Sequence, residues 1–157
     1  MIKSNSQKKS SAYKAWFDAS IKDNSITLSY TIISHNNKVV KEWASKTESK
    51  KVKNINDAES YALFYLLSYI TTSLIGQQVE IIGDSKMIID YVKSDTYNYR
   101  IYRLNDCVDI VYRNRNISID WQPRKHNKRA DKLSKLAHKG KISILGKKDF
   151  SEVIINK

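Results

Sequence analysis

Apolar positions along the chain switch between two periods. Ser25 to Ser34 (SITLSYTIIS) alternates and is rich in β-branched residues, the pattern of a half-buried strand. Ala12 to Ile21 (AYKAWFDASI), an apolar and aromatic run, predicts a buried strand before it. Lys38 to Ser45 (KVVKEWAS) predicts a third strand after the turn dipeptide Asn36-Asn37. The period then lengthens. From Asn56 to about Leu74, Ala58, Ala62, Leu63, Leu66, Leu67 and Ile70 recur at helical spacing, and Gly76 ends the helix. Gln78 to Ile82 (QVEII) predicts a fourth strand ending at Gly83-Asp84. Helices are predicted over Ser85 to Lys93 and Ile101 to Arg113, followed by a strand from Ile117 to Trp121 that Pro123, the single proline, closes. Asn127 to about His138 sets Ala130, Leu133, Leu136 and Ala137 on one face of a last helix.

The order β-β-β-α-β-α-α-β-α predicts an α/β fold. Its core is a mixed five-stranded sheet, three antiparallel strands and then parallel ones, with helices on both faces. Residues 1–11 are polar and rich in Ser and Lys, and are expected to be a flexible basic tail. One domain spans 12–138. A C-terminal extension follows over 139–157, whose apolar runs Ile142 to Leu145 and Val153 to Ile155 fit none of the predicted elements. No internal repeat is visible.

At 157 residues and 41% apolar, the chain has the size and composition of a single folded domain. The longest nearly uncharged stretch, Tyr61 to Val79, is interrupted by Ser, Thr and Gly and suits an amphipathic helix better than a membrane span. No apolar signal-like run is visible near the start. The single cysteine, Cys107, cannot form an internal disulfide. Collagens, disulfide scaffolds, membrane spans and multi-domain enzymes are excluded; a cytoplasmic monomer without membrane association is expected. The charge adds a partner class. With 28 Lys plus Arg against 16 Asp plus Glu, the net charge is +12, which favours polyanions through counterion release. Ten of the basic residues fall between Arg124 and Lys148, with Asp131 the one acid among them. The plainer reading of that run is a solvated lysine-rich surface.

Four acids stand where acids are costly or consequential. Asp18 interrupts the apolar run AWFDAS, and a carboxylate there needs a partner or a metal, unless the strand has already ended. Asp84 follows a strand directly, where open α/β sheets bind ligands, or it caps the next helix. Glu59 lies in Asn56-Asp57-Ala58-Glu59, which has the form of a capping box with Asn56 as the cap. Asp131 sits in the first turn of a basic helix, favourable to the dipole and within reach of Lys135. Each has a structural reading alone. Converging in one cleft, four carboxylates would repel one another unless divalent cations bind, and such hard oxygen donors suit Mg²⁺ or Mn²⁺. Two ions roughly 4 Å apart would activate a water and steady the leaving oxygen of a phosphodiester.

The order of these motifs resembles a family. Asp18-Ala19-Ser20 on the first strand, Ala58-Glu59 opening the first helix, Asp84-Ser85 after the fourth strand and Asn127-Lys128-Arg129-Ala130-Asp131-Lys132-Leu133 opening the last helix resemble the type 1 ribonucleases H over residues 12–138. The resemblance implies a ribonuclease-H-like fold and an endonuclease that cuts the RNA strand of RNA/DNA hybrids with two Mg²⁺ ions, Mn²⁺ being a substitute. It assigns Asp18, Glu59, Asp84 and Asp131 as catalytic metal ligands. Asp18 bridges both ions, Glu59 and Asp84 lie beside the attacked phosphate, and Asp131 holds the nucleophile-side ion. Hybrid contacts are implied for Ser20, Asn56, Ser85, Asn127, Lys128 and Arg129.

The chain also departs from that pattern. The family's Gly-rich turn after the first Asp is missing, since residues 1 to 75 contain no glycine. Trp121 to Asn127 is too short for the mobile loop that carries a catalytic His in many members, and His126 reads either as a surface residue or as an aid to product release. The long basic handle is absent between Val92 and Arg113, where Tyr97, Tyr99, Arg100, Tyr102 and Arg103 stand instead, able to grip a DNA strand or to pack. The chain thus resembles the branch lacking both features. The main alternative is a non-catalytic nucleic-acid binder on the same fold, which the presence of all four acids disfavours. Exonucleases of this fold need an acid where Ser20 stands, and transposases end their set with Glu rather than Asp131.

Overall fold

The computed structural model describes residues 12–128. Strands β1 (Tyr13–Lys22), β2 (Ser25–Ser34) and β3 (Val39–Thr47) are followed by helix α1 (Ile55–Ser73), strand β4 (Val79–Gly83), helices α2 (Lys86–Lys93) and α3 (Leu104–Arg113), and strand β5 (Ile117–Trp121). A 3₁₀ turn over Arg124–His126 comes next. The tail at 1–11, all but the first two residues of the helix expected from Asn127 to about His138, and the extension at 139–157 lie outside the described residues.

The five strands form one sheet in the order β3-β2-β1-β4-β5. β1 pairs antiparallel with β2 and parallel with β4, and β4 is parallel to β5. The mixed sheet expected from the hydrophobic pattern is therefore the sheet observed. Lys22 faces Ser25 across a two-residue turn, where Asp23 has a φ of 57° and takes the left-handed conformation that such hairpins need without a glycine. Asn37, at φ 65°, turns β2 into β3 as its Asn-Asn signal predicts. β3 is the outer strand. Ile32 faces Lys41 but Ile33 faces Val39, so Val40 is an extra, bulged residue on that edge.

One side of the sheet carries the core. Ala15, Phe17 and Ala19 of β1, Leu28, Tyr30 and Ile32 of β2, Val79 and Ile81 of β4, and Ile117 and Ile119 of β5 belong to one buried cluster with Leu63, Leu66, Leu67 and Ile70 of α1 and Ile88, Ile89 and Leu104 of the shorter helices. Cys107 of α3 is buried in the same cluster. Among the described residues, no helix is long and apolar enough to cross a membrane.

Three local expectations change. Helix α1 starts at Ile55, and its cap is Asn54, whose side chain accepts from the Asp57 N–H at 3.0 Å; the box built on Asn56 does not form. Asp57 is instead a buried tie, accepting from the N–H groups of Lys53 at 2.8 Å and Tyr102 at 2.9 Å. That second bond fixes the chain just before α3. The helix consequently begins at Leu104 rather than Ile101, because Arg103 is left-handed at φ 66°. Asp84, in turn, is not a cap: Ser85 occupies that position on α2 and makes no side-chain capping bond.

Gly83 lets β4 close on β1. A Cβ there would lie 2.5 Å from Cε1 and 2.6 Å from Cζ of Phe17, a fully buried ring. Gly83→Ala must displace that ring, and such overpacking costs about 1–3 kcal/mol. Urea denaturation is expected to show that loss; an unchanged midpoint would remove the contact as a constraint on the fold.

Candidate active site

Parallel strands that end together build a site at their carboxyl ends. β1 and β4 pair as far as Trp16 with Ile82; continued two residues, that register sets Asp18 level with Asp84. β4 stops at Gly83 while β1 runs on to Lys22, so Asp18 is in mid-strand but beyond its parallel neighbour. The reading of Asp18 as a strand-end acid is thereby removed. α1 packs across β1 and β2 and brings Glu59 over the same place.

The three acids meet. Asp18, Glu59 and Asp84 each offer a carboxylate oxygen within 4.8 Å of the other two, a spacing suited to a shared metal ion. Asp18 is 1% exposed, Glu59 3%, and the Asp84 side chain 5%. Burial first, then the charges of Asp18 and Asp84 and a hydrogen bond with Asp18, push the Glu59 carboxyl well above the ordinary carboxylate range, and Arg124 draws it partly back. Among the described residues, Glu59 Oε1 and Asp84 Oδ2 are buried without a hydrogen bond. Buried acceptors in that state are costly, and a cation would satisfy them.

The segment after β5 frames the cluster. Gln122 N–H donates to Gly83 O at 3.0 Å, and Trp121 Nε1 donates to Asp84 O at 3.2 Å. Asn127, 1% exposed, donates from Nδ2 to Phe17 O at 2.9 Å and so ties this segment to the residue before Asp18. Arg124 Nε lies 3.4 Å from Asp84 Oδ2. Nothing in the spacing of the sequence singles out Arg124 or Trp121; both come to the site through the sheet register. The one available signal is their position beside Pro123, at the end of a strand neighbouring β4.

Of the other residues expected to contact a hybrid, Ser20, Asn56 and Ser85 stand close to these acids along the chain. Ser20 lies two residues beyond Asp18 on β1, its hydroxyl 2.6 Å from Thr27 Oγ1. Asn56 is half-buried in the first turn of α1, Ser85 is half-buried directly after Asp84, and Lys128 is exposed. Arg129 and Asp131 lie outside the described residues. Of the aromatic residues standing in place of a handle, Tyr97 and Tyr99 are exposed edge to face, whereas Tyr102 packs against Tyr61 and the Arg103 guanidinium covers the Phe64 ring.

A family model described as reverse transcriptase-like matches residues 16–137. The chain belongs to that family. The assignment agrees with the resemblance to type 1 ribonucleases H carried by the acid motifs. RNase H1 from the halophilic archaeon Halobacterium salinarum NRC-1 superimposes with a TM-score of 0.68 at 23% identity, over 82% of this chain and 98% of that one. The N-terminal RNase H domain of a Mycobacterium tuberculosis protein gives 0.68 at 18% identity, over 84% and 96%. LC11-RNase H1, isolated from compost and solved with an RNA/DNA hybrid, gives 0.63 at 20% identity, over 77% and 92%. At such identities the likeness establishes the fold. No curated protein sequence matches the chain.

Because the cluster repels itself, neutralising one member should stabilise the metal-free protein. In EDTA, Glu59→Gln is expected to raise stability by about 1 kcal/mol, roughly 2–4 °C in melting temperature. The sign with pH follows from the raised carboxyl. Wild-type stability from this group is complete below the ordinary glutamate value, about 4.3, and is lost as pH rises through the folded value. The advantage of the variant should therefore grow from pH 5 to pH 8. Thermal melts with a lower midpoint for Glu59→Gln at both pH values would show that the carboxylates are not in conflict.

Proposed function

We propose that this protein is a metal-dependent endoribonuclease that hydrolyses the RNA strand of RNA/DNA hybrids. The observation that carries the reading is the convergence of Asp18, Glu59 and Asp84 from three separate elements, buried and mutually repulsive, at the carboxyl end of the parallel strands. Asp18, Glu59 and Asp84, together with Asp131, would hold two Mg²⁺ ions, with Mn²⁺ as a substitute. Their hard oxygen donors suit those ions, and the buried Glu59 and Asp84 oxygens without hydrogen bonds are acceptors such ions would satisfy. When bound, these cations supply an activated water and charge stabilisation for the leaving oxygen.

The chain's own residues supply position and field. Asn127 anchors the backbone beside Asp18, and Gly83 permits the close approach that sets Asp84 against it. Ser20, Asn56 and Ser85, each within three residues of one of the carboxylates along the chain, are the candidates for contacts to the hybrid backbone, including the 2′-hydroxyls that separate RNA from DNA. Lys128 and Arg129 are the candidates for neutralising phosphates of the hybrid, within a chain of net charge +12. The hybrid bound to LC11-RNase H1, a neighbour in fold, supports this substrate class. The protein acts as a monomer in the cytoplasm.

The deciding experiment is cleavage of an end-labelled RNA/DNA hybrid beside duplex RNA, duplex DNA and single strands, in Mg²⁺, Mn²⁺ or EDTA. Metal-dependent internal cuts confined to the RNA of the hybrid are expected. Asp84→Asn should reduce cleavage at least about a thousandfold, or roughly 4 kcal/mol of barrier, and leave hybrid binding intact. Binding with no cut in either metal would favour a non-catalytic nucleic-acid binder, and parental cleavage by Asp84→Asn would overturn the site assignment.

Neutralising Lys128 and Arg129 together should weaken hybrid binding. The slope of log affinity against log salt should become shallower by roughly 0.9 for each phosphate that is no longer neutralised. An unchanged slope in a filter-binding titration would place both residues off the nucleic-acid path.

A further inference from the structure

Arg124 pairs with a member of the carboxylate cluster, and its place is built in. Gln122 N–H to Gly83 O on one side, and Asn127 N–H to Arg124 O at 2.8 Å on the other, fix the backbone from which it projects. The Trp121 indole Nε1 donates to the Asp84 carbonyl, so Arg124 and Asp84 are held against each other by hydrogen bonds of their neighbours as well as by charge. The guanidinium is 68% exposed while its partner carboxylate is 5% exposed, so the arm bridges solvent and the buried cluster.

The contact itself is of a particular kind. Arg124 Nε stands 3.4 Å from Asp84 Oδ2, and that oxygen is buried without a hydrogen bond among the described residues. The pair is thus an electrostatic hold that lacks hydrogen-bond geometry. Such a hold neutralises a buried charge but is readily exchanged. A divalent ion shared by Asp18, Glu59 and Asp84 brings two positive charges to the place where Arg124 brings one, and cation and guanidinium in contact with one carboxylate oxygen repel each other.

We propose that Arg124 is an exchangeable counter-ion of the metal site, holding Asp84 while the carboxylates are free of metal and yielding it when a divalent ion binds. The proposal rests on the nuclease reading above and adds to it a coupling. The displaced guanidinium lies at the solvent side of the cluster, where a phosphodiester must approach, and guanidinium binds phosphate oxygens in paired hydrogen bonds. A backbone phosphate then takes the arm that metal displaces. By linkage, substrate strengthens metal binding and metal strengthens substrate binding. In this scheme Arg124 holds Asp84 first and a substrate phosphate afterwards, both before the reaction begins.

The test is Mn²⁺ binding by isothermal titration, with and without an uncleavable hybrid of 2′-O-methyl RNA and DNA. Without nucleic acid, Arg124→Gln should bind Mn²⁺ roughly 2- to 5-fold more tightly than wild type, the upper part of the range of a partly exposed ion pair. Lys125→Gln removes the same charge from the same turn and should leave the affinity within about twofold of wild type. The hybrid should tighten Mn²⁺ binding in wild type and do so by a smaller factor in Arg124→Gln. Equal or weaker Mn²⁺ binding by Arg124→Gln, or equal tightening by Lys125→Gln, overturns the exchange and leaves the nuclease reading standing. Wild type that binds neither Mn²⁺ nor the hybrid overturns that reading and the exchange with it.

Discussion

Like charges held close in a dry place are the constraint on which this structure turns. Asp18, Glu59 and Asp84 come from a strand, a helix and the end of another strand, and each is nearly or fully withdrawn from water. Local preference alone brings none of them there. The sheet register and the packing of α1 hold them together against desolvation and mutual repulsion, which is why Glu59 resists ionisation. A fold that keeps such a cluster is one whose core is rigid enough to impose it.

That rigidity is traceable to a few contacts. Phe17 fills the core on one side of β1, and the absence of a side chain at Gly83 lets the ring lie against β4. The carbonyl of the same Phe17 receives Asn127 from beyond β5. A glycine and an asparagine therefore both fix the strand of Asp18 through its neighbour Phe17. Asp57 does the corresponding work for Glu59, tying the start of α1 to the loop that carries Tyr102. Acids of the same type thus serve opposite ends here: Asp57 is satisfied by two main-chain donors, whereas Glu59, two residues on, faces other carboxylates.

The succession of strands and helices over the described residues was legible because their periods are distinct and their turns carry Asn, Gly or Pro at the right places. Asp18 was legible as a costly residue because its neighbours Trp16, Phe17 and Ala19 are apolar, and Asp84 because a short apolar strand stops just before it. What local pattern could not reveal was tertiary. Asn54 and Asn56 are equally good caps by composition, and the choice falls on Asn54 because Asp57 is then turned toward Lys53 and Tyr102. The late start of α3 has the same origin. Arg124 is one of a run of basic residues in sequence and becomes particular only when β5 pairs beside β4.

The outer strand carries one further consequence. Among the described residues β3 is an edge strand, and its exposed Val39 and Val40 would suit pairing with a strand of another molecule. The extra residue at Val40 puts the hydrogen-bonding ladder out of step there. A net charge of +12 favours nonspecific attraction to polyanions, which would bring copies of the chain close together. An irregular edge denies them a template, and crowding on a charged polymer need not become aggregation.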